Sequence, residues 1–377
     1  MIIVTQRRIG IITFPIVRAG VEPLSNLINI LLKHSNDSLY IITGCEGSKF
    51  NSIDPRIRLI NVPHRSKKSP FGRTVSYIIT QIKISISAYH LARNVDSWLF
   101  FFGGELLILP MILAKITRKP VILLFAGSQL KTSESRDSCI NVIFRFVSDV
   151  NRILSNKLIV YSPILISEWH LEPYRHKILI AHRHFLDFET FTITTPFPDR
   201  APFIGYIGRL SGEKGVQHFA QALPVILGHQ QGLRVIIGGD GQLMDSIVTY
   251  LQEEGIGAHV NLPGWISHDE LPRFLNQLRL LVLPSYTEGL PNIMLEAMAC
   301  GTPVLATPVG AVPDVIIDGK TGFIMENNSP ECIAENVIRA LEHPDLEQIA
   351  EVGRRFVEEN FTFERVVKRW KEVLDEI

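Results

Sequence analysis

The chain predicts an α/β protein of two doubly wound domains, and three observations carry that reading. Short apolar runs alternate with longer helix-like segments along nearly all of its 377 residues. Many of these runs are apolar at successive positions, as strands buried on both faces of a parallel sheet must be. The alternation breaks at residues 192–202, which carry three prolines and no apolar periodicity. The length accommodates two domains of ordinary size, and an apolar fraction of 46% fills two cores.

In the first domain, residues 1–195, strands are expected at 9–14, 39–43, 57–62, 98–102, 121–125, 158–161 and 178–181. Helical stretches between them make repeated βαβ units. Residues 98–114 are apolar enough to suggest a membrane span, but Gly103, Gly104, Glu105 and Pro110 interrupt a run already short for a bilayer. A strand followed by a helix accounts for the segment better. In the second domain, residues 196–377, strands are expected at 203–207, 234–237, 259–262, 280–283, 304–306 and 322–325. From Glu331 onward the pattern is helical, and residues 356–377 read as a last amphipathic helix able to cross back to the first domain.

The formal net charge is zero, but the halves differ. Residues 1–195 hold 24 Lys+Arg against 13 Asp+Glu, a net of +11, and residues 196–377 hold 14 against 25, a net of −11. Two domains attracting one another across a cleft would give this split. So would a basic first half facing anionic lipid or an anionic acceptor. Cys45, Cys139, Cys300 and Cys332 lie far apart without a Cys-x-x-Cys pair, which argues against a zinc site or disulfide framework and fits a reducing compartment. The first residues are mixed in character and do not read as a signal peptide. The expectation is a cytoplasmic protein, with the cytoplasmic face of a membrane as a further place of contact, and no nucleic-acid partner.

The most informative segment is Glu288-Gly-Leu-Pro-Asn-Ile-Met-Leu-Glu296. Glu288 falls among turn residues, and Glu296 lies at least one turn into a helix that Pro291 can open. A helix start presents unpaired amides and the positive end of the dipole, a place for phosphate. Carboxylates on either side of it suit sugar hydroxyls. Anion site and hydroxyl acceptors together point to a nucleotide-sugar.

Other turns in this domain fall at expected strand ends. Gly208-Arg-Leu-Ser-Gly-Glu-Lys-Gly215 follows the first strand, where Arg209 and Lys214 could neutralise a pyrophosphate, although a polar turn with two solvated cations would look the same. Gly239 and Asp240, in Ile237-Gly-Gly-Asp-Gly241, would let a ligand approach the backbone. Leu262-Pro-Gly-Trp-Ile266 follows a third strand, with Trp265 either a wall for a base or a packing residue. Thr302-Pro-Val304 and Gly310-Ala-Val-Pro-Asp314 flank a further strand. Carboxyl ends of strands are where open parallel sheets bind ligands.

With the Gly208–Gly215 turn, the Gly-Asp-Gly turn at 239–241, the Gly-Trp-Ile stretch at 264–266 and the glutamates at 288 and 296 in this order, residues 203–330 resemble the retaining glycosyltransferases of family 4, which have the GT-B fold of two Rossmann-like domains facing a cleft. The resemblance implies that Arg209 and Lys214 hold the donor diphosphate. It implies that Glu296 binds the ribose hydroxyls and that Glu288 contacts the donor sugar. Backbone groups of Gly289, Leu290, Pro291 and Asn292 would line sugar and phosphate, and Ile266 would meet the base through its backbone. In the first domain Gly20, after the first strand, matches one of a pair of glycines near the donor phosphate. The histidine the family often carries after a first-domain strand is missing from Phe125-Ala-Gly-Ser128, and Ser128, Glu105 and His184 are candidate substitutes. Asp187, with Phe191 at its usual distance, matches the segment before the linker.

The implied reaction is hexosyl transfer from a nucleoside-diphosphate-sugar, a substrate rather than a cofactor, to a glycan or lipid-linked hydroxyl, with retention. No cofactor or metal is expected. Asp-x-Asp is absent, and cationic side chains with a helix start would replace a divalent ion. His182 and His184 would share a face on a strand and could ligate a metal, but ordinary hydrogen bonds near a hinge account for them better. An epimerase or phosphorylase of similar fold, or a binding protein without turnover, would share many of these features.

Residues 63–94 bear on the acceptor. His64-Arg-Ser-Lys-Lys68 is a basic loop. The helix after it places Val75, Ile78, Ile79, Ile82, Ile86 and Tyr89 on one face and Ser76, Thr80, Lys83, Ser87, His90 and Asn94 on the other. The favoured expectation packs the apolar face on the sheet. The basic loop and Pro70-Phe71 are candidates for peripheral contact with an anionic membrane.

Overall fold

The computed structural model describes residues 8–17, 20–34, 38–67, 69–125 and 139–377. They fall into two compact units, Met1–His184 with Val366–Ile377, and Phe185–Arg365.

The first unit runs β1 (Ile9–Ile12), α1 (Val21–Leu32), β2 (Leu39–Thr43), β3 (Ile57–Asn61), α2 (Pro70–Leu91), β4 (Ser97–Phe100), α3 (Ile108–Ile116), β5 (Val121–Leu124), α4 (Cys139–Leu154), β6 (Lys157–Val160), α5 (Ile164–Glu168) and β7 (Ile178–Ile180). Its parallel sheet has the order β3-β2-β1-β4-β5-β6-β7. The chain winds outward from β1 to β3, returns through α2 to β4 on the other side of β1, and winds outward again. Right-handed crossovers then put α1 on one face and α2, α3 and α4 on the other.

The second unit contains β8 (Phe203–Ile207), α6 (Val216–His229), β9 (Arg234–Gly238), α7 (Met244–Glu253), β10 (Val260–Gly264), α8 (Leu271–Leu275), β11 (Leu280–Leu283), α9 (Asn292–Ala299), β12 (Val304–Ala306), α10 (Val312–Val315), β13 (Phe323–Ile324), α11 (Pro330–Leu341) and α12 (Leu346–Asn360), and α13 (Phe363–Asp375) follows. Its parallel sheet has the order β10-β9-β8-β11-β12-β13. Each expected strand is found, with ends within two residues of expectation. The central strands β1, β4, β5 and β11 are buried at every position, which is why they read as continuous apolar runs.

Three features differ from the sequence reading. First, the proline-bearing stretch is part of the second unit, which begins at Phe185 rather than at residue 196. Asn276 accepts the amides of Thr194 (2.8 Å) and Thr195 (3.3 Å) and donates to the Thr192 carbonyl (3.0 Å). Buried Arg200 donates to the carbonyls of Thr195, Leu278 and Cys300 and to Thr302 Oγ1 at 2.6–3.1 Å. Prolines leave such a stretch without a regular ladder, and these two side chains supply its partners instead.

Second, the expected final helix over 356–377 is interrupted, since α12 ends at Asn360 and α13 starts at Phe363. From Val366 on, α13 counts with the first unit. There Trp370 donates to the His182 carbonyl (2.8 Å), Arg369 to the Ile180 carbonyl (2.8 Å), and His34 Nε2 meets the Val367 carbonyl (2.8 Å).

Third, the apolar face of α2 turns outward, against the expectation that it packs on the sheet. Ile78, Ile79, Ile82, Ile86 and Tyr89 are exposed, while Thr80, Gln81, Ile84 and Ala88 are buried. Hydrogen bonds set this orientation. Tyr77 donates to the Leu106 carbonyl (2.7 Å), Gln81 accepts the Leu109 amide (3.0 Å), and Thr80 Oγ1 bonds the Ser76 carbonyl and His64 Nδ1 (both 2.9 Å).

Replacing Arg200 by Met would keep most of the volume but leave three carbonyls without their donor. The expected loss is about 3 kcal/mol, since each buried unsatisfied polar group costs about 1–3 kcal/mol. A lower midpoint in urea unfolding of the full chain, with Arg200→Lys falling between wild type and Arg200→Met, is the expected result.

Candidate active site

In the second sheet β8 and β11 are neighbours, yet the connections leaving them run to opposite faces. A parallel sheet opens a ligand crevice at such a switch point, beyond the carboxyl ends of its strands. Lys214 closes the turn after β8, and Glu288 lies in the loop after β11. Across the switch point Lys214 Nζ donates to Glu288 Oε1 at 2.6 Å, with side-chain exposures of 23% and 11%. Ser285 donates its hydroxyl to the same oxygen at 2.7 Å. An ammonium has three N–H donors, and this contact uses one.

The loop continues through buried Leu290 and Pro291 into α9. Pro291 occupies the N-cap without a side-chain hydrogen bond, so no protein oxygen from that residue caps the helix start. Asn292 opens the helix. Glu296 lies in its second turn with a side chain only 9% exposed, and His268 Nε2 stands 3.6 Å from its Oε1. The His268 ring meets Phe191 edge to face, centroids 5.1 Å apart.

The loops at this end of the sheet are bonded to each other. Leu210 donates its amide to the Asp240 carbonyl (2.9 Å), Gly239 to the Gly264 carbonyl (2.7 Å), Tyr286 to the Glu213 carbonyl (3.0 Å) and Ala311 to the Gly289 carbonyl (2.8 Å). Two glycines make this closeness possible. Gly239 has φ +127°, and a Cβ there would lie 1.8 Å from the Gly208 carbonyl oxygen. Gly310 has φ +58°, and a Cβ there would lie 2.3 Å from the carbonyl oxygen of Glu288. Both positions require glycine on conformation and on space.

Glu288, Gly289, Leu290, Pro291, Asn292 and Glu296 lie on one loop and helix start, and Lys214 meets Glu288 from the turn after β8. Arg209 belongs to the same turn as Lys214. Its side chain is 67% exposed and 3.3 Å from Glu213, and its carbonyl accepts the Tyr206 hydroxyl (2.7 Å). Gly239 packs on the neighbouring turn, and the Asp240 carboxylate accepts the Gly241 amide at 2.7 Å. The Ile266 side chain lies over Gly238, where a Cβ would meet its Cδ1 at 2.4 Å. Trp265 is 75% exposed and so is not a packing residue. Sequence reading missed Ser285 and His268. The Ser-His-Asp-Glu run at 267–270 was the available signal for His268, and Ser285 had none.

In the first unit Gly20 lines an apolar pocket of about 300 Å³ with Phe14, Ile16, Tyr77, Phe102 and Leu106, at the switch point between β1 and β4. Phe102 holds φ +23°, unusual for a bulky residue, followed by Gly103 at +75°. Glu105 is not free for chemistry. It accepts from Ser148 (3.0 Å) and Arg152 (3.2 Å), and burial raises its carboxyl above the usual range. His184 is buried against Tyr161, ring centroids 6.1 Å apart. His182 Nδ1 meets the His184 carbonyl at 3.0 Å. Asp187 accepts the amide (3.4 Å) and hydroxyl (2.6 Å) of Thr190, which hold its carboxyl below the ordinary range. Ala126, Gly127 and Ser128 lie outside the described residues, as do Ala19 and Lys68.

Two doubly wound parallel-sheet domains give the chain the GT-B fold. Among solved structures it is similar to HepE of Anabaena in complex with UDP, with a TM-score of 0.78 at 16% identity over 98% of this chain and 100% of that one. It is also similar to sucrose-phosphate synthase of Thermosynechococcus elongatus, with a TM-score of 0.73 at 16% identity over 98% and 99%. Residues 187–356 match the family model of glycosyl transferases group 1. Curated relatives include an uncharacterized glycosyltransferase of Methanocaldococcus jannaschii, 30% identical over 46% of this chain and 47% of that protein. The alpha-D-kanosaminyltransferase of Streptomyces kanamyceticus is 31% identical over 41% and 40%. The chain thus spans about half the length of the curated relatives it matches.

Two measurements follow from these geometries. Burial lowers the His182 imidazole from 6.5 to about 4, and that of His184 well below its ordinary value. Both are neutral in the fold, so the unfolded chain binds more protons between those values. Stability is full above pH 6.5 and falls toward pH 4, with His182 contributing on the order of 3 kcal/mol. Melting temperatures across that range should fall less steeply for His182→Asn, which keeps a donor toward the His184 carbonyl. In the second unit, Gly310→Val would push against the Glu288 and Gly289 carbonyls. The full chain carrying this substitution should melt several degrees lower, strain at such a positive-φ position costing on the order of 1–3 kcal/mol.

Proposed function

We propose that the chain is a glycosyltransferase moving a hexose from a nucleoside-diphosphate-sugar to an acceptor hydroxyl with retention of configuration. The observation that carries the reading is the Lys214–Glu288 contact across the switch point of the second sheet, beside the start of α9 and Glu296. The group 1 match over residues 187–356 and the glycosyltransferase relatives support it.

The bond between the anomeric carbon and the diphosphate oxygen breaks, and a bond from that carbon to the acceptor oxygen forms. The acceptor's proton passes to the departing phosphate on the same face of the sugar. Negative charge grows on the diphosphate as the bond breaks. The unused donors of Lys214, the guanidinium of Arg209 and the positive end of α9 stabilise it, a preorganised electrostatic effect. Glu288, with one oxygen engaged by Lys214 and Ser285, orients a sugar hydroxyl rather than attacking carbon. Glu296 accepts from the ribose hydroxyls. The acceptor we favour carries an apolar portion, as a lipid-linked glycan does, because the first unit's switch-point pocket is lined by Phe14, Tyr77 and Phe102. Such a reaction places the protein at the cytoplasmic face of a membrane.

A thermal-shift panel of UDP-, GDP- and ADP-sugars, followed by transfer assays on membrane lipid extract, identifies the substrates. With the best pair, Lys214→Met should lower kcat by about 10²–10³-fold, the usual effect of deleting a donor to a developing anion. Its nucleotide-free melting temperature should fall by several degrees, since removing one partner of a largely buried ion pair costs about 3–5 kcal/mol, so kcat is compared well below that temperature. A variant as active as wild type, or nucleotide-sugar binding with no release of nucleoside diphosphate to any acceptor, overturns the proposal.

A further inference from the structure

Helices α2, α3 and α4 pack side by side over one face of the first sheet. Their outer surface is apolar along its length. On α2 it shows Phe71, Ile78, Ile82, Ile86 and Tyr89, between 45% and 81% exposed. Spacings of three and four residues from Ile78 onward line them along one side of a helix about 33 Å long, at 1.5 Å per residue. On α3 the exposed side chains are Leu109, Ile112 and Ile116, again one face. On α4, Phe146 and Ile153 continue the surface. Scattered apolar residues on a surface are ordinary, but a stripe shared by three adjacent helices marks a place of contact.

The charges on this layer say what the contact is with. The three helices number 22, 9 and 16 residues and contain one carboxylate, Asp149, 3.4 Å from Arg152. They also carry Arg73, Lys83, Lys115 and Arg145. Arg65 and Lys67 stand just before α2, and Arg118 and Lys119 just after α3. Apolar side chains on helices that carry cations and almost no carboxylates match an anionic bilayer surface, where the first enter the acyl boundary and the second meet the headgroups. A second copy of the same face would set cation against cation. Among the described residues no helix is long and apolar enough to cross a membrane, so the contact is one that lies on the surface.

We propose that the α2–α3–α4 layer docks in plane on a bilayer carrying anionic lipid. The first turn of α2, with Phe71 and Arg73, follows the carboxyl end of β3, the same edge of the sheet as the pocket that Tyr77 lines. A lipid-linked acceptor held in that bilayer would therefore present its head group at the edge where the pocket opens. None of the docking residues belongs to the donor site, so the two proposals can fail separately.

The test is co-sedimentation of the full chain with phosphatidylcholine vesicles, with or without an anionic fraction of phosphatidylglycerol. Wild type should pellet with the anionic vesicles, bind the neutral ones at least tenfold more weakly, and release as salt is raised. Ile78→Ser/Ile82→Ser/Ile86→Ser and, separately, Arg65→Glu/Lys67→Glu should each weaken binding at least tenfold. All five residues are solvent-facing or in a loop, and an unchanged melting curve with an unchanged nucleotide thermal shift would show that the variants fold and keep the donor site. Failure of wild type to bind either vesicle, or equal binding by the isoleucine variant, overturns the proposal. So does light scattering that shows a wild-type dimer and a monomeric isoleucine variant, since the face would then belong to a second copy of the chain.

Discussion

A parallel sheet gathers all its carboxyl-end loops on one edge, and at the switch point two of them must part. In the second unit that parting is bridged by the Lys214–Glu288 contact. A largely buried ion pair repays its desolvation only when its remaining valences are met. Here Ser285 meets one on the carboxylate side, while the ammonium keeps donors in reserve. The pair therefore holds the two loops in register and leaves positive charge available. Its surroundings make that charge local. Residues 196–377 carry a net charge of −11, so the positive charge of Lys214, Arg209 and the start of α9 is confined to this end of the sheet.

The same topological rule produces a different chemistry in the first unit. Between β1 and β4 the parting loops contribute aromatic and aliphatic side chains, and the chain there passes through Phe102 and Gly103 with positive φ. Residues 1–195, with a net charge of +11, include the apolar pocket, and residues 196–377, with a net charge of −11, include Lys214 and Arg209. Domain-wide charge and local site chemistry are thus set independently.

Much of this was legible in the sequence because buried parallel strands leave an unmistakable apolar record. The Glu288–Glu296 segment stood out as a candidate site because a helix opening and two flanking carboxylates fall together in it. What could not be read depends on long-range hydrogen bonds. Proline density at 192–202 marks irregular backbone but not its owner, which Asn276 and Arg200 decide from far along the chain. The close approach of the Gly239 and Gly310 backbones to neighbouring turns likewise depends on residues distant in sequence. Ser285 acquires its part only when the loop folds its hydroxyl onto Glu288.

Helix α2 shows the limit most clearly. Amphipathic periodicity tells which residues share a face, not which way the face turns. Rotating α2 by half a turn would bury its isoleucines, at roughly 25 cal/mol gained for each Å² of apolar surface removed from water. It would also strip the Leu109 amide of Gln81 and the Leu106 carbonyl of Tyr77, two polar groups at the start of α3 and the loop before it. Each orphaned group costs about 1–3 kcal/mol. Burial would also demand space that Ala88 and Thr80 do not leave, since small inward residues let the helix lie close to its neighbours. The outward stripe is therefore built into the packing of α2 against its neighbours.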